Sequence, residues 1–288
     1  MLIGNINTIP SIVNLPGQGN TTDQGTAFRF ERSTGGWFES SFGSNLGAED
    51  NLAISVWVKI DQEFFNTVGF NTDYHILDKY VNNQTGGYRL FLRNQPNGQK
   101  QLIFTGVSNV SGQRNVVLNI TSLQADTPYL ITADTVGFVP QPQLIQGCLR
   151  VKGEGVSLSA NQSNFTRPSP SSAPPFVIAN ANPTQSDKGF AGVIDEIAIW
   201  PATTQIDDAG ATNLFNWPVY KDLMNSNPLG NNIQPVNWFR MGENTVYDPV
   251  HQNWVMPNAG TDNSTAVLKS DGSPAPAKVN GIPNELYA

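Results

Sequence analysis

One stretch constrains this chain more than any other. Gly189-Phe190-Ala191-Gly192-Val193-Ile194-Asp195-Glu196-Ile197-Ala198-Ile199-Trp200 is apolar, rich in β-branched residues and stopped by Pro201. Such a run reads as a buried strand. Two adjacent carboxylates interrupt it. Strict alternation assigns Val193, Asp195, Ile197 and Ile199 to one face and Ile194, Glu196 and Ala198 to the other. Asp195 on an apolar face needs backbone N–H donors, a cationic side chain or a metal ion. Asp195 and Glu196, pointing to opposite faces, are not expected to work as a same-face acid pair.

The same period of two recurs along the chain. Ile54, Val56, Val58 and Ile60 alternate with Ser55, Trp57 and Lys59. Tyr88, Leu90 and Leu92 alternate with Arg89, Phe91 and Arg93. Val116, Leu118 and Ile120 alternate with Val117, Asn119 and Thr121, and Leu149 and Val151 with Arg150 and Lys152. Strands with one face in a core, separated by turns drawn from 26 Gly and 20 Pro, predict an all-β, two-sheet antiparallel β-sandwich. Trp57 and Trp200 lie inside strand patterns and are expected in a core. Residues 1–25 are polar and marked by Pro10 and Pro16, which reads as an extended N-terminal arm. The sandwich is expected over 26–215 and an irregular C-terminal extension over 216–288. After Pro201, the stretch from Thr204 to Asp207 predicts an N-cap and a short helix to Phe215.

Composition removes several function classes. A formal charge of -7 without any basic run argues against a nucleic-acid surface. The single cysteine, Cys148, excludes an intramolecular disulfide and reads as a packed thiol. His75 and His251 are the two histidines, too few for a closed zinc site. No stretch approaches a membrane span, and the first residues lack the basic start and long apolar core of a secretory signal.

Two phrases carry a family resemblance. Leu52-Ala53-Ile54-Ser55-Val56-Trp57-Val58-Lys59 resembles an early "ISxWVK" strand, and Gly189 to Trp200 resembles a late "FxGxIDEVxIW" strand. Both belong to laminin-G-like, concanavalin-A-like jelly rolls, a group that includes lectins and glucanases. The resemblance covers Thr26 to Phe215 and implies the jelly-roll version of the sandwich. Ile76-Leu77-Asp78-Lys79-Tyr80 resembles the family's "IISK" strand, which makes Lys79 the expected counter-charge of a buried Asp195. Relatives bind calcium at loop rims, so calcium at Asp195 is the other reading. Asn237-Trp238-Phe239-Arg240-Met241-Gly242-Glu243 resembles a "WWRMGD" phrase of laminin-G-like virion proteins of tailed bacteriophages. That implies a virion structural protein in a capsid decoration, fibre or tail. It would be made in the host cytoplasm, sit on the virion surface, and contact other virion proteins and host glycans.

Catalysis has no motif in this sequence. Glucanases of this fold use an E-x-D-x-E strand, whose alternate acids share one face. None is present, nor G-x-S-x-G nor H-E-x-x-H. The expectation is therefore a non-enzyme. Two alternatives remain open: a secreted, extracellular carbohydrate-binding module, and a glycan lyase or hydrolase with a cleft lined by acids and a basic or Tyr residue. Trp37, after Gly35-Gly36, and Trp254, in an Asn- and Pro-rich stretch, are the expected glycan or partner contacts. Leu2, Ile3, Ile6, Ile9, Ile12 and Val13 give the arm more apolar side chains than a free tail needs. They are expected to pack on another subunit or another virion protein; a symmetric homo-oligomer is the simplest version, and the resemblance to phage fibres and decorations implies a trimer.

Overall fold

Strands with one apolar side have to bury that side against something, and here two sheets bury theirs against each other. The computed structural model describes residues 26–32, 36–40, 52–68, 71–80, 86–108, 112–136, 144–166, 175–181, 187–216, 223–242, 245–262, 268–271 and 275–282. The arm residues Leu2, Ile3, Ile6, Ile9, Ile12 and Val13 lie outside the described residues.

In chain order the first elements are β1 (Thr26–Phe30), β2 (Trp37–Ser40), β3 (Ala53–Ile60), α1 (Gln62–Asn66), β4 (Thr72–Tyr80) and β5 (Gly87–Asn94). Next come β6 (Lys100–Ser108), β7 (Gly112–Asn119), β8 (Pro128–Val136), β9 (Leu144–Gly153), β10 (Val156–Thr166) and β11 (Val177–Ile178). Then follow β12 (Gly192–Trp200), α2 (Asp208–Phe215), α3 (Leu223–Ser226) and β13 (Asn237–Phe239). The last are β14 (Val246–Asp248), β15 (Asn253–Met256), β16 (Leu268–Asp271) and β17 (Ala277–Asn280). Among the described residues these strands form two sheets. The eight-stranded sheet runs β10-β9-β8-β3-β12-β1-β17, with β13 also on β12. The nine-stranded sheet runs β14-β15-β16-β2-β11-β4-β5-β6-β7. Every pairing is antiparallel, and the whole is the all-β two-sheet sandwich expected from the alternation, with a short helix after β12.

The core lies between the sheets. Ile54, Val56, Val58 and Ile60 enter it from β3, Leu90 and Leu92 from β5, and Leu118 from β7, with Ile120 just beyond, all buried. Aromatic rings fill the rest: Phe28 meets Phe38 edge-on at 4.9 Å, and Phe104 stacks on Phe165 at 5.1 Å. Leu90 and its neighbours therefore occupy the face that alternation assigns to them.

A second apolar cluster covers the other face of the eight-stranded sheet. Trp57, Leu130, Val193, Ala198 and Trp200 pack there against Ala211 and Leu214 of α2, Trp238 of β13 and Ile282. Trp57 stacks on Phe215 at 5.5 Å, and Trp200 Nε1 donates to Ser55 Oγ at 3.0 Å. The helix is tied down by charge as well. Arg150 Nε donates to Asp208 Oδ1 at 2.8 Å, and buried Asp134 accepts from Ile206 N at 2.8 Å. That bond spends the Ile206 N–H on β8. The helix therefore begins at Asp208, with Asp207 as the cap accepting from Gly210 N, rather than at Thr204 as expected. Residues after 216 supply strands to both sheets: β17 lies against β1, β13 against β12, and β14 to β16 continue the nine-stranded sheet beyond β2.

Candidate functional site

α2, together with Trp238 and Ile282, covers the outer face of the eight-stranded sheet, so chemistry is to be sought on the outer face of the nine-stranded sheet. On β5 alternation sends Tyr88, Leu90 and Leu92 inward and leaves Arg89, Phe91 and Arg93 on the outer side. On β4 a bulge intervenes. His75 pairs with Phe91 and Leu77 with Leu90, so Ile76 is the extra residue. His75 and Asp78, which strict alternation would put on opposite faces, thereby share the outer one. One register row then crosses the sheet: Glu39 on β2, Val177 on β11, Asp78 on β4, Arg89 on β5, Thr105 on β6 and Asn115 on β7. Beside it lie His75, Phe91 and Ile103.

The centre of this face is a compact polar assembly. His75 Nδ1 lies 2.9 Å from Asp78 Oδ2, and both residues are buried. The His75 ring stacks on Phe91 at 5.0 Å, with 13° between planes. Two guanidiniums flank the same Phe91, Arg89 at 5.4 Å and Arg93 at 5.1 Å from its centroid. Arg89 also sits 4.3 Å over the Tyr80 ring and reaches Gln113 Oε1 at 3.3 Å. Arg93 is neutralised by Asp73 through two hydrogen bonds, at 2.6 and 2.9 Å, and Lys188 Nζ lies 3.5 Å from the same carboxylate. Burial works to raise Asp73, but hydrogen bonding and charge from Arg93, helped by Lys188, hold its carboxyl below the usual 3.8. Burial raises the Tyr80 phenol; Arg89 opposes the shift and Asp78 adds to it, so the phenol keeps its proton at neutral pH.

This arrangement offers three chemical capacities. A guanidinium clasps a carboxylate with two parallel donors. A protonated phenol can give a proton, and an imidazole beside a carboxylate can take one. Among the described residues no group of three or more His, Cys, Asp and Glu is placed to hold a metal ion.

The residues singled out from sequence are distributed differently. Asp195 is buried, as its apolar setting requires. Its Oδ2 accepts from Ile282 N and its Oδ1 from Glu196 N, both at 2.9 Å. It pairs in register with Trp57, on the face of the eight-stranded sheet turned away from the core. Lys79 pairs with Tyr88, on the core side of the other sheet. The structure does not bring Asp195 and Lys79 together. The expected parity of β12 also changes. The register shifts between Asp195 and Ala198, and Glu196 takes a φ of 43°. Glu196 Oε2 consequently accepts from Trp238 Nε1 at 2.5 Å, on the same side of the sheet as Asp195. Trp254 is a buried anchor, edge-on to Phe28 at 5.4 Å, and not a surface contact. Trp37 is half-buried on the outer face of the nine-stranded sheet, where its Nε1 donates to Glu39 Oε2 at 3.3 Å. Arg89, Arg93, Tyr80, His75 and Asp78 were not expected to form a site. The one signal for them is Arg89-Leu90-Phe91-Leu92-Arg93, which sets two arginines around an aromatic on a single strand face.

No family model matches the chain, and no curated protein matches it. Among solved structures, the enzymatically active domain of tailspike protein 2 from bacteriophage CBA120 aligns at 10% identity and a TM-score of 0.42, over 67% of this chain and 31% of that one. An alginate lyase from Chlorella virus aligns at 14% identity and a TM-score of 0.34, over 60% of this chain and 83% of that one. An alginate lyase from Aplysia kurodai aligns at 9% identity and a TM-score of 0.29, over 52% and 70%. The chain thus spans less than a third of the tailspike domain. The expectation of a non-enzyme is overturned here, since these similar structures are an enzymatically active domain and two lyases. Its ground, the want of paired acids on one strand, has no bearing on a face built from Arg, Tyr and His.

Proposed function

We propose that this chain is a glycan-cleaving β-sandwich of a virus particle, acting by β-elimination on an acidic polysaccharide at the outer face of the nine-stranded sheet. One observation carries the reading: the Arg89 guanidinium, held over Tyr80 and beside Phe91, stands next to the buried His75–Asp78 pair. Arg89 takes the sugar carboxylate and so acidifies the hydrogen on the adjacent carbon. His75 removes that proton, the glycosidic C–O bond breaks as a C=C bond forms, and Tyr80 gives its proton to the leaving oxygen. No water is consumed. His75 lies below the surface, stacked on buried Phe91, so proton removal requires the Phe91 ring and its flanking Arg89 to shift when substrate binds. Arg93, tied to Asp73, stays as the fixed wall.

The virion setting rests on the phrase from Asn237 to Glu243, and the jelly-roll kinship on the strands around Trp57 and Asp195. Assembly into a homotrimer with other virion proteins, through the arm before β1, belongs to the same reading. No helix among the described residues is long and apolar enough to cross a membrane. The test is to incubate purified chain with acidic bacterial and algal polysaccharides and follow the ultraviolet absorbance of the new C=C bond. Release of unsaturated products, lost in Arg89→Ala and Tyr80→Phe, is the expected result. Cleavage giving saturated ends, or cleavage intact in both variants, would rule out this mechanism.

A further inference from the structure

The outer face does not end at Arg89. Its register row continues through Asp78 and Val177 to Glu39 on β2. Strand spacing puts Glu39 about 14 Å from Arg89 across the sheet, too far for one sugar ring to touch both. Phe38 is buried in the core, so its neighbours Trp37 and Glu39 share the outer side. The two are tied together: Trp37 Nε1 donates to Glu39 Oε2 at 3.3 Å, which fixes the plane of the indole and leaves Glu39 Oε1 outside that bond. The indole is half-buried, with part of its surface toward solvent.

Trp presents a broad, rigid apolar face at little entropic expense, with one polar handle. Here the handle is spent on Glu39, so the indole offers its apolar surface alone. An ionised carboxylate only accepts hydrogen bonds, so Glu39 welcomes hydroxyl donors and repels a second carboxylate. Two positions of the row therefore differ in sign, guanidinium at β5 and carboxylate with indole at β2, and Lys269 of β16 stands next to Glu39 in register.

We infer that Trp37 and Glu39 form a second sugar subsite, for an uncharged pyranose ring of the same chain whose acidic ring lies at Arg89. The indole takes the apolar face of the ring and Glu39 takes its hydroxyls. The glycan would then run across the strands, from β5 toward β2. The preferred polymer would carry both acidic and neutral sugars rather than acidic ones throughout. This rests on the glycan reading of the face, but not on its chemistry.

The test is titration calorimetry of the full chain with two oligosaccharide series of increasing length. One series is hyaluronan, in which acidic and uncharged sugars alternate. The other is polygalacturonate, in which every sugar is acidic. The mixed series should gain about tenfold in affinity once it is long enough to span both subsites, and the acidic series should gain far less. Trp37→Ala should abolish the gain with length, while Glu39→Gln should narrow the difference between the series. A Trp37→Ala chain that gains with length as the parent does, or equal gains in both series, overturns the subsite and leaves the Arg89 reading standing. A parent chain that binds no glycan in either series or in a wider acidic panel removes both.

Discussion

Ile282 N donates to Asp195 Oδ2 at 2.9 Å, across 87 positions of sequence, in the buried layer outside the eight-stranded sheet. Together with Glu196, which holds Trp238 and lies 3.7 Å from Arg240, it fastens the C-terminal strands to β12. Asp195→Ala leaves the Ile282 N–H buried without its acceptor and should lower stability by about 1–3 kcal/mol in denaturant unfolding. Burial, and then the charge of Glu196, raise the Asp195 carboxyl well above 3.8. In that case the folded chain holds the proton more tightly than the unfolded one. The favourable term is complete below the unfolded value and fades as pH rises toward the raised one. The stability difference between the parent and Asp195→Asn should therefore shrink from acid toward neutral pH. A difference that grows instead would mean that Asp195 is ionised in the fold.

Lys79 should give a signal at the other end of the scale. Burial pushes its amine down to about 8 from 10.5. Between those values the unfolded chain binds more protons, so stability should rise with pH across that window. Lys79→Met should remove the rise, as read from melting temperatures through the same range.

The two sides of the nine-stranded sheet should respond oppositely to truncation. Leu90 is fully buried between the sheets, and Leu90→Ala should cost about 2–5 kcal/mol. Val117 is 44% exposed on the outer side, and Val117→Ala should stay within about 0.5 kcal/mol. Urea titrations giving equal losses would contradict the placement of the core.

At the proposed reaction centre, Arg89→Lys keeps the charge but loses the planar pair of donors. It should lower kcat/KM on acidic polysaccharide by about a hundredfold, close to the loss in Arg89→Ala, while melting temperature changes little. Rescue by lysine would mean that charge alone suffices and that the two-donor clasp is not used.

Alternation made most of the architecture legible. The buried faces of β3 and β5 are those that Ile54, Val56, Leu90 and Leu92 announce, because a regular strand has no other period. It failed in two places, and both are bulges. At Ile76 an extra residue swings His75 to the side of Asp78, and at Glu196 another carries its carboxylate to the side of Asp195. A bulge leaves almost no mark in a single sequence. Glu196 is not even a glycine, although its φ of 43° favours one. The Asp195–Lys79 pair was misread for a related reason. Each is a charge in an apolar run, but which layer a strand face borders depends on what later chain packs over it. The arginines of β5 were legible as outward-facing, and their grouping around Phe91 emerges only when β4 and β6 are set beside them.

The position of β1 bears on how the chain reaches this structure. Phe28 pairs with Ile194 on one side and with Lys278 on the other. Neither edge of β1 can be closed by chain that is near it in sequence. Contacts of such long range form late and slow the search for the native state. A nascent or cleaved chain lacking β17 would leave β1 as a bare edge, open to pairing with another copy. Folding yield should therefore fall steeply with concentration for any fragment that stops short of Asn280, well before activity could be asked of it.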